Sequence, residues 1–195
     1  MIFYHGSSVN GLKELHPFVK PWSNLKTPLV YMTSSKQLAA HYIWPTKKYE
    51  IKSPMLDIRP DGTLVFQEMF SGALVYFYKG LSGWIYQCSG NFEYNEETGV
   101  FTTATSTTPV PVESAEFISD VYEHIMSFAE QGKFIYEKFE DLRSYRHDII
   151  RGIIYRSIKT DDLFNNPTHP NYKFFPEKYP KYWQEAKVLY DNGLL

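Results

Sequence analysis

A single cysteine, Cys88, stands in 195 residues. That excludes an intrachain disulfide and any metal site built on several thiolates. A lone thiol suits a reducing compartment, so a cytoplasmic protein is expected. The flanks, Tyr86-Gln87-Cys88-Ser89, read as a strand, which makes Cys88 a packed thiol rather than a nucleophile. No apolar run approaches the roughly 20 residues needed to span a bilayer. Met1 to Ser8 lacks the basic stretch and long apolar run of a signal peptide. Neither sign of charge dominates: the formal net charge is -2. No field therefore recruits nucleic acid across the whole surface. There is no phosphate-binding loop and no Gly-rich dinucleotide fingerprint. Ser7 and Ser8 lie in no nucleophile elbow. His41, His124, His147 and His169 are not at zinc-ligand spacing, so no metal is expected.

What the chain has in abundance is aromatic surface, with 16 Tyr and 14 Phe. Tyr combines an apolar ring with a polar tip and suits half-buried sheets or clefts that hold planar ligands. The hydrophobic fraction of 43% and charged fraction of 22% are those of a folded domain rather than a disordered chain.

Pattern divides the chain into a strand-rich part, 1–120, and a helical part, 121–195, with no Gly/Ser linker between them. The first part reads as strands at Ile2–Tyr4, Leu29–Met32, Ala73–Tyr78 and Trp84–Cys88, with Leu64–Phe66 a strand or a short loop. Tyr49–Ile58 reads as extended. Val100–Val112 reads as an edge strand, because Pro109 and Pro111 lack ladder donors. Ser34 and Gln37 have capping-box spacing, which opens a helix that Pro45 should close. In the second part, Phe117, Val121, Ile125 and Phe128 recur at helical spacing. Phe134–Leu142, Asp148–Ile158 and Tyr182–Tyr190 continue as helices, and Asn165–Pro180 as a surface loop. Arg143, Arg146, Arg151, Arg156 and Lys159 are balanced by nearby acids and read as a solvated helix face.

Three features follow in order: Tyr4-His5-Gly6-Ser7 after the first strand, Val30-Tyr31-Met32-Thr33-Ser34 in the second, and a helix from Ser35. This arrangement resembles the start of the ADP-ribosyltransferase superfamily over residues 2 to about 44. The resemblance implies an α+β fold with a split, mostly antiparallel sheet. It implies NAD as substrate, transfer of ADP-ribose to an acceptor (protein, nucleic acid or small molecule) and release of nicotinamide. His5, Gly6, Ser7, Tyr31 and Tyr42 are the expected cofactor-binding residues. An imidazole can bond a ribose hydroxyl, Gly6 lets a ligand amide approach the backbone, and Tyr31 can stack on the cationic nicotinamide ring. His5 and Tyr31 are expected on adjacent strands facing one cleft; side chains on opposite faces of the sheet would make the resemblance coincidental.

The resemblance also implies a third residue, usually Glu, Asp or Gln, from a later strand; a carboxylate there would stabilise the developing ribose cation. Glu113, after Val110-Pro111-Val112, is the first choice, which completes a catalytic set of Glu113, His5 and Tyr31. Glu116 is the second choice and Gln87 a further candidate. Two other readings remain open: an RNA 2'-phosphotransferase on the same fold, and a non-catalytic binding module.

Overall fold

A computed structural model of the chain describes residues 1–19, 25–44 and 55–195. The elements in chain order are strands β1 (Ile2–Ser7), β2 (Glu14–Leu15) and β3 (Val30–Thr33), helix α1 (Lys36–His41), strands β4 (Met55–Ile58) and β5 (Leu64–Gln67), helix α2 (Ala73–Tyr78), strand β6 (Gly83–Ser89), strands β7 (Thr103–Ser106), β8 (Val110–Pro111) and β9 (Ser114–Ile118), helix α3 (Val121–Glu130), strand β10 (Phe134–Glu137), and helices α4 (Ser144–Thr160), α5 (Pro170–Lys178) and α6 (Pro180–Asp191). The class is α+β with antiparallel sheets. No described helix is long and apolar enough to cross a membrane.

Two compact units emerge. The first is built from the described parts of Met1–Lys48, Leu56–Phe66 and Leu74–Tyr136; the second contains Gln67–Ala73 and Glu137–Leu195. The division expected at residue 120 therefore falls later, because α3 packs on α1 and stays with the first unit. That unit holds a five-stranded sheet of order β7-β3-β1-β6-β9. Its centre is β1, paired antiparallel with β6 from Ile2↔Ser89 to Ser7↔Trp84 and with β3 at Tyr4↔Thr33. Alternation along these strands sends Phe3, Val30, Met32, Cys88 and Ala104 to one core, together with Leu15 and Val110 from the short β2–β8 pair.

Several local expectations are overturned by tertiary context. Ala73–Tyr78 is a helix, not a strand: Ala73, Leu74, Phe77 and Tyr78 are buried, at offsets that only a helix brings to one side. Ser114–Ile118 is a strand because β6 supplies its backbone partners. The helix starts after it, where the Asp120 carboxylate accepts from Glu123 N–H at 3.2 Å. Val121, Ile125 and Phe128 are buried as expected, but Phe117 is 53% exposed. Phe134–Glu137 is also a strand, at the edge of the three-stranded sheet β10-β5-β4. The edge strand expected over Val100–Val112 is interrupted into β7 and β8. The helix cap falls one residue late, on Ser35, whose Oγ accepts from Leu38 N–H at 3.2 Å. Pro45, and Tyr49–Ile58 before Met55, lie outside the described residues.

In the second unit, the expected loop Asn165–Pro180 contains α5. Pro170 occupies its first turn, and the His169 ring accepts from Asn171 N–H at 3.2 Å. Phe70, Phe174 and Tyr179 meet edge to face at 5.5–6.2 Å. Buried Glu68 accepts from the N–H groups of Gly72 and Phe139, both at 3.2 Å.

His41, on α1, is 1% exposed among the rings of Phe66, Tyr78 and Phe134. Its Nδ1 donates to the Gln37 carbonyl at 2.9 Å. Burial pushes its pKa from 6.5 down to about 4, the Gln37 bond opposing and His124 adding slightly. The neutral ring is therefore favoured by folding. Above pH 6.5 both folded and unfolded forms are neutral, and this group adds no pH dependence. Between pH 6.5 and about 4 only the unfolded chain takes the proton, so stability falls as pH falls, by about 3 kcal/mol in total. Denaturant titrations from pH 7.5 to 4 should show this loss in the wild type and not in His41→Phe. An equal loss in the variant would assign the acid sensitivity elsewhere.

Candidate functional site

The segment Tyr4-His5-Gly6-Ser7 is not a loop after a strand but the second half of β1. His5 Nδ1 bonds the Tyr31 carbonyl at 2.9 Å. A carbonyl only accepts, so Nδ1 carries the proton and Nε2 is the acceptor nitrogen of the neutral ring. The two expected residues thus do sit on adjacent strands, β1 and β3.

Their side chains do not share a face. The pairing Tyr4↔Thr33 brings Gly6, not His5, opposite Tyr31. Directly opposed residues share a face and successive ones alternate. Tyr31 therefore lies on the face of Tyr4 and Gly6, while His5 lies on the face of Met32 and Tyr86. The single cleft expected between His5 and Tyr31 is not formed, and this part of the resemblance does not hold: the two side chains lie on opposite faces, and the His5 ring bonds the Tyr31 backbone carbonyl. Tyr31 is also 7% exposed, with its ring edge-on to Phe18 at 5.9 Å.

Gly6 has a structural explanation. A Cβ there would collide with the Ala39 carbonyl oxygen on α1 and stand 3.0 Å from Ile43 N. Gly6 lets a helix backbone, rather than a ligand, approach β1. Ser7 Oγ accepts from Val9 N–H at 3.1 Å and shapes the following turn. Tyr42 caps α1, and burial raises its hydroxyl pKa while the Thr103 hydroxyl beside it opposes the rise.

On the face of Tyr31 and Gly6 the sheet opens into a cavity of about 120 Å³, lined by Tyr4, Lys36, Ile85, Gln87, Ser114, Ala115 and Glu116. Register explains the lining: Tyr4, Gln87 and Ser114 form one row across β1, β6 and β9, and Gly6, Ile85 and Glu116 the next. Lys36, at the start of α1, reaches Glu116 at 2.5 Å. The second-choice carboxylate and the candidate amide, Gln87, are therefore brought together.

Glu113 is not among them. It precedes β9 at the level of Cys88, donates its N–H to the Gln87 carbonyl at 2.9 Å and accepts from exposed Ser89 Oγ at 2.8 Å. Cys88 is buried, and burial, with Glu113 adding, pushes its thiol up to about 11, which makes it inert. Sequence reasoning missed Tyr4 and Lys36. The available signal was strand alternation: a ligand on the Tyr31 side of β1 meets Tyr4, not His5.

Chemically, the cavity offers a carboxylate beside an ammonium, a phenol and a primary amide. The amide can both donate and accept, which matches a carboxamide ligand. Among the described residues no cluster of His, Cys, Asp and Glu could hold a metal ion. Comparison with known proteins returns no relative: no family model matches, no curated protein does, and no solved structure does.

Gly6→Ala should destabilise the first unit by about 1–3 kcal/mol, because the group it strikes is backbone and cannot rotate away. The loss should be seen as a lower denaturant midpoint with no ligand present. An unchanged midpoint would return Gly6 to a ligand-contact role.

Proposed function

We propose that this chain is an ADP-ribosyltransferase-like protein that takes NAD as substrate and works at the Glu116 cavity. The observation that carries the reading is a carboxylate, Glu116, set with Lys36, Tyr4 and Gln87 around an opening on the central sheet. The bond between C1' of the ribose and the nicotinamide nitrogen breaks, its electron pair leaving with nicotinamide. Positive charge spreads over the ribose as it does so. Glu116 opposes that charge more strongly than the charge spread of the ground state, which lowers the barrier. The acceptor then bonds C1' through a lone pair and gives its proton to water. Gln87 orients the carboxamide, and Tyr4 takes the ring-contact role first expected of Tyr31. His5 acts as a structural anchor that ties β1 to β3.

The cavity is smaller than the roughly 300–1,000 Å³ of a pocket for a whole drug-sized ligand. It suits a single ring, with the remainder of the dinucleotide lying outside it. The opposite faces of His5 and Tyr31 count against the NAD reading and favour a second one, a non-catalytic module.

One set of measurements separates them. Millimolar NAD should raise the melting temperature, since a ligand selective for the folded state stabilises it by mass action. Tyr4→Ala should shrink that shift. Glu116→Gln should cut nicotinamide release by about 10²–10³-fold with the NAD shift retained. Glu113→Gln should change neither. No shift and no nicotinamide from folded wild-type protein supports the non-catalytic module.

A further inference from the structure

Helix α4 buries one side and leaves the other open. Its buried side carries Ile150, Ile154 and Ile158. Tyr145, Asp148, Ile149, Gly152, Arg156 and Lys159 are all exposed. Their spacing of three and four residues sets them in one stripe along the outer side. Tyr145 and Ile149 bring large apolar groups to it, 49% and 44% exposed. Neither Arg156 nor Lys159 has an ion-pair partner among the described residues. Gly152 stands at the middle of the stripe. Glycine is, after proline, the residue least suited to a helix interior. A Cβ at this position would meet nothing within 4 Å. The packing of a single chain therefore does not call for glycine here, whereas a missing side chain lets a second helix come close. We propose that the outer side of α4 is the contact surface of a homodimer, in which α4 of a second copy crosses antiparallel at Gly152.

Charge order selects this occupant and its direction. A two-fold axis at Gly152 sets each residue opposite the one equally far along on the other side. Asp148, four residues before, then meets the partner's Arg156, four residues after, and the pair occurs twice. Tyr145, seven before, meets the partner's Lys159, seven after, a ring against a cation. Ile149 meets the partner's Tyr155. A parallel pair would instead set Asp148 beside Asp148 and Arg156 beside Arg156, like charge on like. The antiparallel pair also opposes the two helix dipoles. Asp148 holds Arg151 of its own chain through Oδ1 at 2.5 Å. A carboxylate has two acceptor oxygens, so it can take the arriving guanidinium as well. One helix against one helix is a small interface, and the association is weak and concentration-dependent. Helix α4 belongs to the second unit, and its pairing does not depend on the NAD reading.

Sedimentation velocity on the whole chain, without nucleotide, tests this from roughly 1 μM to 1 mM. The wild type should pass from monomer to dimer across that range. Asp148→Arg sets two arginines against each other, and Arg156→Asp two aspartates. Each should weaken dimerisation by about tenfold or more. An equimolar mixture of these two variants should recover it, because every reversed charge then faces its opposite on the other chain. Gly152→Gln should weaken it by a similar factor while keeping or raising the melting temperature, since glutamine suits a helix better than glycine. Circular dichroism melts of each variant check that it folds. A wild type that stays monomeric throughout the range overturns the proposal and leaves the stripe to a different partner. So does a dimer that the single variants leave intact, or one that the mixture fails to restore.

Discussion

Helix α1 can lie on the central sheet only because Gly6 has no side chain. The Ala39 carbonyl occupies the place that a Cβ would take. The position of α1 in turn fixes Lys36 against Glu116 at one end of the helix and Tyr42 beside Thr103 at the other. It also carries His41 into a cage of Phe66, Tyr78 and Phe134. The same contact links the packing of the first unit to the geometry of its cavity.

Beneath that contact is β1, hydrogen-bonded on both sides. A central strand has no freedom to rotate its side chains between faces, so its alternation is imposed on every neighbour. Phe3 and His5 go to one side, with Met32, Tyr86 and Cys88. Tyr4 and Gly6 go to the other, with Tyr31, Gln87 and Glu116. The first face is closed over by the β2–β8 pair and by the loop that the Tyr86 hydroxyl ties down, through Val9 O at 2.7 Å and Leu12 N–H at 3.3 Å. The second face carries both α1 and the cavity. Polar side chains gather there because β9 is an edge strand and leaves Glu116 partly in water, where a charge is tolerated.

Electrostatics then separate the titratable groups by depth. His41 and Tyr78 are enclosed, and burial holds each in its neutral form. The Cys88 thiol is kept protonated in the same way. Lys36 and Glu116 stay near solvent, where a pair contributes little to stability. Their value lies in being a matched pair beside a phenol and an amide.

The sequence by itself determined the class of fold, the order of the first two strands and the helix that follows them, and the packed thiol at Cys88. These are local matters: residue type, spacing and backbone freedom decide them without knowledge of a partner strand. It determined most of the C-terminal helices too, since their apolar period is long. Tertiary structure alone decided that Ala73–Tyr78 coils while Ser114–Ile118 and Phe134–Glu137 extend. Those segments hold residues that suit either form, and the deciding term is which neighbour supplies hydrogen bonds and burial. It alone decided which carboxylate meets the cavity. Glu113 and Glu116 are three residues apart and alike in composition, but strand register sends one to the level of Cys88 and Ser89 and the other to Lys36. And it alone decided that His5 and Tyr31 part company, because a face is assigned by pairing across the sheet, and pairing is not written in either strand alone.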